Sequence, residues 1–87
     1  MGLTRSLAIE LAQDNIQVNM VSPSFVETDL TNNMNQIFKD KIKTDNPMGR
    51  FADSSEVAKA VLFLSSSMSS FITGQKITVS GGEPPFL

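Results

Sequence analysis

Two short strand-like runs, far apart in the chain, place the strongest constraint on its fold. Residues 16–21 (IQVNMV) and residues 76–80 (KITVS) alternate apolar with polar side chains, a pattern typical of β-strands. Pro23 is expected to end the first strand, because proline cannot donate to a strand ladder. The long, partly helical connection favours parallel pairing through a right-handed crossover. Because parallel sheets are normally buried within larger sheets, two strands alone indicate part of a larger α/β domain.

Two segments have the pattern of stable helices. Residues 2–13 carry leucine at every fourth position, which gives one apolar stripe. A second helix is expected to begin near Asp53, a favoured N-cap with Glu56 three residues later, as in a capping box. The serine run at residues 65–67 is expected to end this helix.

The middle of the chain has no continuous pattern. Residues 24–47 are expected to form a mobile segment with short helices, one of them between residues 35 and 43. Pro47 then stops the helical spacing. Pro84 and Pro85, after the second strand, predict a stiff tail.

Composition excludes several functional classes. Seven Lys or Arg stand against nine Asp or Glu, for a net charge of −2, and no basic face is available for nucleic acid. No apolar run approaches the roughly 20 residues that span a bilayer, and the N-terminus lacks a signal-peptide pattern. The interpretation is a cytoplasmic protein with neither a nucleic-acid nor a membrane partner.

Missing residue types limit the chemistry further. The chain has no His, Tyr, Cys or Trp among its 87 residues, so Asp, Glu and Lys are the remaining common acids and bases. A His-containing metal site, a thiolate site and a Ser-His-Asp triad are therefore excluded. Glu27 and Asp29 place two carboxylates on one turn, but acids at a helix N-terminus are common because of the helix dipole. We therefore predict no catalytic residue and no metal ligand in this chain.

Four segments in order carry a resemblance to a known family: GLTRSLAIELA, IQVNMVSPSFVETDLT, MGRFADSSEVAKAVLFLSS and ITGQKITVSGG. Over residues 2–82 the chain resembles the C-terminal third of short-chain dehydrogenases/reductases, most of all the 3-oxoacyl-[acyl-carrier-protein] reductase type. The resemblance implies a Rossmann-type, doubly wound parallel sheet. Residues 1–87 would form a single partial domain of it, with residues 28–47 as the substrate lid.

The resemblance also implies a site for NAD or NADP on the loop after the first strand. Pro23 would lie beside the nicotinamide, the main chain of Val26 would bond the carboxamide, and Thr28 would bond the carboxamide or the pyrophosphate. Ser24 replaces a glycine usual in the family, so its Cβ is expected to crowd the nicotinamide or to require a different backbone angle. The lid residues expected to contact an acyl substrate are Met34, Ile37 and Phe38.

The chain lacks three features of the family, namely the phosphate loop, the catalytic serine and the Tyr-x-x-x-Lys pair. The resemblance implies a parent enzyme that transfers hydride to the carbonyl of a 3-oxoacyl thioester, whereas this chain alone is expected to show no turnover. The resemblance further implies a homo-oligomer, joined through the helix at residues 2–13 and through the helix at residues 53–67 with the strand that follows it.

Two other interpretations stay open at this point. The chain is either a non-catalytic interaction or oligomerisation module that pairs with full-length subunits, or a remnant of a longer protein. The first is motivated by the edge of the strand at residues 16–21, which would normally join another strand.

Overall fold

A computed structural model of the chain describes residues 1–83 and confirms the predicted α/β class. The stiff tail expected at Pro84 and Pro85 lies outside the described residues. The elements, in chain order, are helix α1 (Gly2–Ala12), strand β1 (Met20–Pro23), helices α2 (Asp29–Asn32), α3 (Gln36–Asp45) and α4 (Ser54–Leu64), a 3₁₀ turn (Ser67–Ser69) and strand β2 (Lys76–Val79).

The two strands pair in parallel, as predicted. Met20 lies opposite Lys76, and Pro23 lies opposite Val79. The helical segment between the strands therefore acts as the crossover that parallel pairing requires. Both strands end at the same edge of the sheet, so the loops that follow them are neighbours.

The first strand begins later than the sequence pattern predicts. The prediction of residues 16–21 was wrong, because the strand is Met20–Pro23. The side-chain amides of Gln17 and Asn19 instead donate to the carbonyl oxygen of Ile72, at 2.7 and 3.1 Å. These polar side chains hold the segment against the loop before β2, where a ladder was expected.

β1 ends at Pro23, so it continues through two residues beyond the predicted last residue, Val21. The amides of Met20 and Ser24 donate to β2, to the carbonyls of Gln75 at 2.9 Å and Val79 at 3.0 Å. Alternate residues of a parallel strand bond to opposite sides, so the nitrogen of Pro23 faces the other edge. A missing N–H is tolerated there.

Helix α4 has the predicted capping box. Asp53 Oδ1 accepts a hydrogen bond from the amide of Ser55 at 3.1 Å, and Glu56 Oε1 accepts one from the amide of Asp53 at 2.8 Å. These bonds satisfy amides that the first helical turn leaves without partners. The helix ends at Leu64, immediately before the serine run, as predicted.

Helix α1 approaches the loop before β2 through small residues. Ala8 is 3% exposed, and a Cβ at Gly74 would lie 3.3 Å from the Cβ of Ala8. Gly74 also has a φ of +73°, which favours glycine.

Very little apolar surface is buried within the described residues. Of the hydrophobic residues in the described part of the chain, only Ala8 and Phe51 are buried. Leu3, Ile9 and Leu62 are largely exposed. Exposed apolar surface on this scale is typical of an interface that another part of a protein covers. None of the described helices is both long enough and apolar enough to cross a membrane.

Candidate functional site

The end of β1 and the loop after it carry all four residues predicted to bind a cofactor. Pro23 is the last residue of β1, and Thr28 is the N-cap of α2. Ser24 and Val26 lie between them. In parallel α/β sheets, ligands bind outside the carboxyl ends of the strands, and this loop lies at that edge.

The main chain of Val26 is held in place but left without a backbone partner. Val26 forms an isolated parallel bridge with Ala52. The two hydrogen bonds of the bridge belong to its neighbours: Glu27 donates to the Ala52 carbonyl at 2.8 Å, and Ala52 donates to the Phe25 carbonyl at 2.9 Å. The N–H and C=O of Val26 face away from Ala52 and make no backbone–backbone bond within residues 1–83. They form an ordered donor–acceptor pair of the kind that a carboxamide needs.

Thr28 caps α2 through its hydroxyl oxygen, and its O–H is still available as a hydrogen-bond donor. Its amide donates to Thr31 Oγ1 at 2.8 Å, and its own Oγ1 accepts from the Thr31 amide at 3.5 Å. The hydroxyl of Thr28 donates to no partner in the part of the chain that is described. An exposed O–H at this position can donate to a phosphate or amide oxygen.

Ser24 makes a side-chain contact that the sequence did not predict. Its hydroxyl donates to the carboxylate of Glu83, beyond β2. The backbone at Ser24 is not left-handed, because Asn15 alone among the described non-glycine residues has a positive φ. The conformational freedom of glycine is therefore not used at position 24 in this structure.

The predicted lid residues lie on α3 and on the turn before it. Ile37 is 80% exposed and Phe38 is also exposed, while Met34 is half-buried. Ile37 does not pack α3 against the rest of the chain, so its side chain is available for contact with another molecule or segment.

The end of the lid is anchored on the loop before α4. The Nζ of Lys43 lies 5.6 Å from the ring centroid of Phe51, a cation–π distance. The Phe51 ring is 6% exposed and meets Phe25 edge to face, with 6.4 Å between centroids. Phe51 therefore contacts both segments: the lid through Lys43 and the loop after β1 through Phe25.

Arg50 and Glu56 fix the loop before α4. The guanidinium of Arg50 donates to both carboxylate oxygens of Glu56, at 2.7 and 3.0 Å. This bond and the amide of Asp53 lower the pKa of Glu56 to about 2, and the same pair raises the pKa of Arg50.

A small cavity lies where these loops meet. Its volume is about 40 Å³, and its lining includes Ser24, Asn46, Phe51 and Ser80. A cavity of this size holds one or two water molecules. A nicotinamide ring is larger than this cavity.

The sequence of the chain is similar to those of known reductases. A family model described as enoyl-(acyl carrier protein) reductase matches residues 1–83. The 3-oxoacyl-[acyl-carrier-protein] reductase FabG of Aquifex aeolicus is 51% identical over 81 residues, which cover 93% of this chain and 33% of that protein. The corresponding reductase of Buchnera aphidicola subsp. Schizaphis graminum is 49% identical over the same shares.

The fold of the chain is also similar to that of a reductase of known structure. The crystal structure of YwfH, an NADPH-dependent reductase involved in bacilysin biosynthesis, superposes with a TM-score of 0.86 at 34% identity. The match covers 99% of this chain and 37% of that one. The chain thus spans about a third of the length of the curated relatives it matches, and its fold is that of part of a Rossmann-type reductase.

Proposed function

Because the chain belongs to this family of short-chain dehydrogenases/reductases, we propose that it is the C-terminal segment of an NAD(P)-dependent reductase. In that enzyme, hydride passes between the nicotinamide and a carbonyl carbon. The segment holds the nicotinamide end of the cofactor, while the catalytic acid and the phosphate loop come from the remainder of the fold. This chain supplies no catalytic residue.

One observation carries the proposal. The N–H and C=O of Val26 are fixed by the bridge to Ala52, yet the pair has no backbone partner in residues 1–83. Main-chain groups at the end of a strand bind a carboxamide with little reorganisation. Val26 therefore holds the carboxamide in this proposal.

The other loop residues complete the cofactor contacts. Pro23 and Ser24 border the nicotinamide ring. The hydroxyl of Thr28 donates a hydrogen bond to the carboxamide or the pyrophosphate. The segment at residues 28–47 is the lid over the substrate. Its apolar contacts with an acyl chain are Met34, Ile37 and Phe38.

The proposed substrate is a 3-oxoacyl thioester. The curated relatives are named 3-oxoacyl-[acyl-carrier-protein] reductases, whereas the family description refers to enoyl reduction. We favour the carbonyl substrate because it matches the named relatives at 42–51% identity. An enoyl thioester is the competing substrate to include in every assay.

The proposed assembly is a homo-oligomer in the cytoplasm. Ile9 on α1 and Leu62 on α4 are exposed apolar side chains on the two helices expected at the interfaces, and burial between subunits would remove them from water. A chain without cysteine has no need of an oxidising compartment.

The isolated chain gives the first test. Purified residues 1–87 are mixed with NADPH or NADH and a 3-oxoacyl thioester, with the Aquifex reductase as the positive control. We expect no cofactor oxidation above the protein-free rate. Measurable reduction by the isolated chain would contradict the assignment of catalysis to other segments.

A chimera tests the cofactor loop itself. In it, the segment of the Aquifex reductase that matches this chain is replaced by residues 1–83 of this chain; we call this protein the chimeric reductase. Cofactor binding by the chimeric reductase is measured by the change in NADPH fluorescence. Unchanged affinity after Val26→Pro, which removes the proposed amide donor, would count against the role of Val26.

A second function, an interaction module that pairs with full-length subunits, is favoured by the edge of β1. Met20 and Ser24 donate to β2, so the polar main-chain groups of Val21 face the open edge. A cleft of about 340 Å³ lies beside this edge, lined by Gln17, Asn19, Val21, Val61, Leu64 and Ser65.

Light scattering distinguishes the two functions. An interaction module would form a complex of defined mass when mixed with the full-length Aquifex reductase. A chain that remains monomeric in that mixture would contradict the second function without affecting the first.

A further inference from the structure

The turn after β2 joins two loops that are far apart in sequence. Asn46, at the end of α3, is 9% exposed. Its Nδ2 donates to the carbonyl of Ser80 at 2.9 Å, and its Oδ1 accepts from the amide of Met48 at 2.9 Å. One buried amide side chain therefore ties the end of the lid to the exit of β2.

Gly81 makes this contact sterically possible. Its φ is +63°, and a Cβ at this position would lie 2.7 Å from Oδ1 of Asn46. The amide of Met48 also donates to the carbonyl of Gly81, at 3.2 Å. The turn and the end of the lid fit together only because residue 81 has no side chain.

The same turn reaches the cofactor loop on its other side. The amide of Glu83 donates to the carbonyl of Ser80 at 3.2 Å and closes the turn. The carboxylate of Glu83 then accepts the hydroxyl of Ser24. Because Ser24 and Ser80 both border the 40 Å³ cavity, little open space separates the three segments.

We propose that residues 80–83 form a clasp that holds the cofactor loop and the end of the lid in one arrangement, with Asn46 and Glu83 as positioning residues. The inference rests on the proposed function, because the loop that it holds is the proposed cofactor loop. A loop that is ordered before binding spends less of the cofactor's binding energy on its own ordering. Loss of the clasp therefore weakens cofactor binding more than it slows hydride transfer.

Kinetics of the chimeric reductase test the Glu83 half of the clasp. Glu83→Ala removes the acceptor for Ser24, and we expect the KM for NADPH to rise about tenfold while kcat changes by less than about twofold. Glu83→Gln keeps an oxygen acceptor and is expected to restore most of the affinity. A purely structural role would instead lower the yield of folded enzyme and leave the two parameters of that fraction unchanged.

A double-mutant cycle identifies the partner. In a Ser24→Ala background, Glu83→Ala is expected to have little further effect on KM, because the hydrogen bond is already lost. Additive effects of the two substitutions would overturn the pairing of Ser24 with Glu83.

Hydrogen exchange tests the Asn46 half without any activity. Asn46→Asp keeps Oδ1 but loses the donor to Ser80, and Asn46→Ala loses both groups. We expect amide exchange at Met48 to accelerate about tenfold in Asn46→Ala and less in Asn46→Asp. Hydrogen exchange tests the clasp even if the chimeric reductase is inactive. Inactivity of the chimeric reductase would count against the proposed function alone. Unchanged exchange in both variants would overturn the clasp.

Discussion

Arg50 and Glu56 face each other across the start of α4 with two parallel hydrogen bonds, at 2.7 and 3.0 Å. The same carboxylate accepts the amide of Asp53. Glu56 thus belongs to the helix cap and to the ion pair, and both favour its charged form. Ala52, the bridge partner of Val26, lies in the loop between Arg50 and α4. The ion pair of Arg50 with Glu56 therefore holds this loop against the helix.

Stability should depend on pH through Glu56. Its pKa falls from an ordinary value of 4.5 to about 2 in the folded chain, so the stabilisation is complete above pH 4.5 and is lost as the pH falls toward about 2. Glu56→Gln should remove this dependence. The difference between the melting temperatures of the chimeric reductase and the variant, measured from pH 6 down to about pH 3, should shrink steadily below about pH 4.5.

Asp45→Asn is the matched control for that experiment. Asp45 lies 3.9 Å from Lys41 in an exposed pair on α3, and such pairs contribute little. Its removal should leave the pH dependence unchanged. A constant offset between Glu56→Gln and the unsubstituted protein at every pH would refute the linkage.

The α4 cap should respond to side-chain chemistry at Asp53. Asp53→Ala removes the acceptor for the amide of Ser55 and should cost about 1 kcal/mol in the free energy of unfolding. Asp53→Asn should cost far less, because asparagine caps equally well. Urea denaturation of the chimeric reductase measures both, and equal losses would mean that the cap contributes only through charge.

Gly81 and Gly49 provide a matched pair for steric strain. Both have a positive φ, +63° and +75°, but a Cβ at Gly49 would meet nothing within 4 Å. Gly49→Ala should cost about 1 kcal/mol through backbone strain alone. Gly81→Ala should cost about 1–3 kcal/mol more, because it also meets Asn46. In an Asn46→Ala background this additional cost, measured by urea denaturation, should largely disappear; if it persists, the collision with Asn46 is not its cause.

Thr28 should contribute to cofactor affinity through its hydroxyl. Thr28→Val in the chimeric reductase should raise the KM for NADPH about tenfold, since a charge-assisted hydrogen bond is lost, whereas Thr28→Ser should preserve it. Thr31→Val is the control, because it breaks the capping box of α2 but keeps the Thr28 hydroxyl. Steady-state kinetics that show equal effects for Thr28→Val and Thr31→Val would assign the loss to the helix cap.

Local patterns predicted the helices better than the strands. The α4 cap depends on residues three apart, so Asp53 and Glu56 were legible in the sequence. The start of β1 was not, because Gln17 and Asn19 bond to Ile72, more than fifty residues away. Alternation of polar and apolar residues cannot reveal such a partner.

The candidate site divides in the same way. Its cofactor loop was predicted through the family resemblance, and the free main chain of Val26 is consistent with that expectation. Asn46, Arg50 and Glu83 were not predicted, because their roles depend on contacts with Ser80, α4 and Ser24 that form only in the folded chain. Ser24 offered the one signal: the resemblance implies a glycine at this position, and the hydroxyl present instead donates to the carboxylate of Glu83.

Turnover by the chimeric reductase tests the central claim most directly. If this chain holds the nicotinamide end of the cofactor, the chimera should oxidise NADPH or NADH with a 3-oxoacyl thioester, but not with an enoyl thioester or without substrate. The isolated chain should oxidise neither cofactor. A chimera that folds and assembles like the Aquifex reductase, yet neither binds the cofactor nor reduces the thioester, would contradict it.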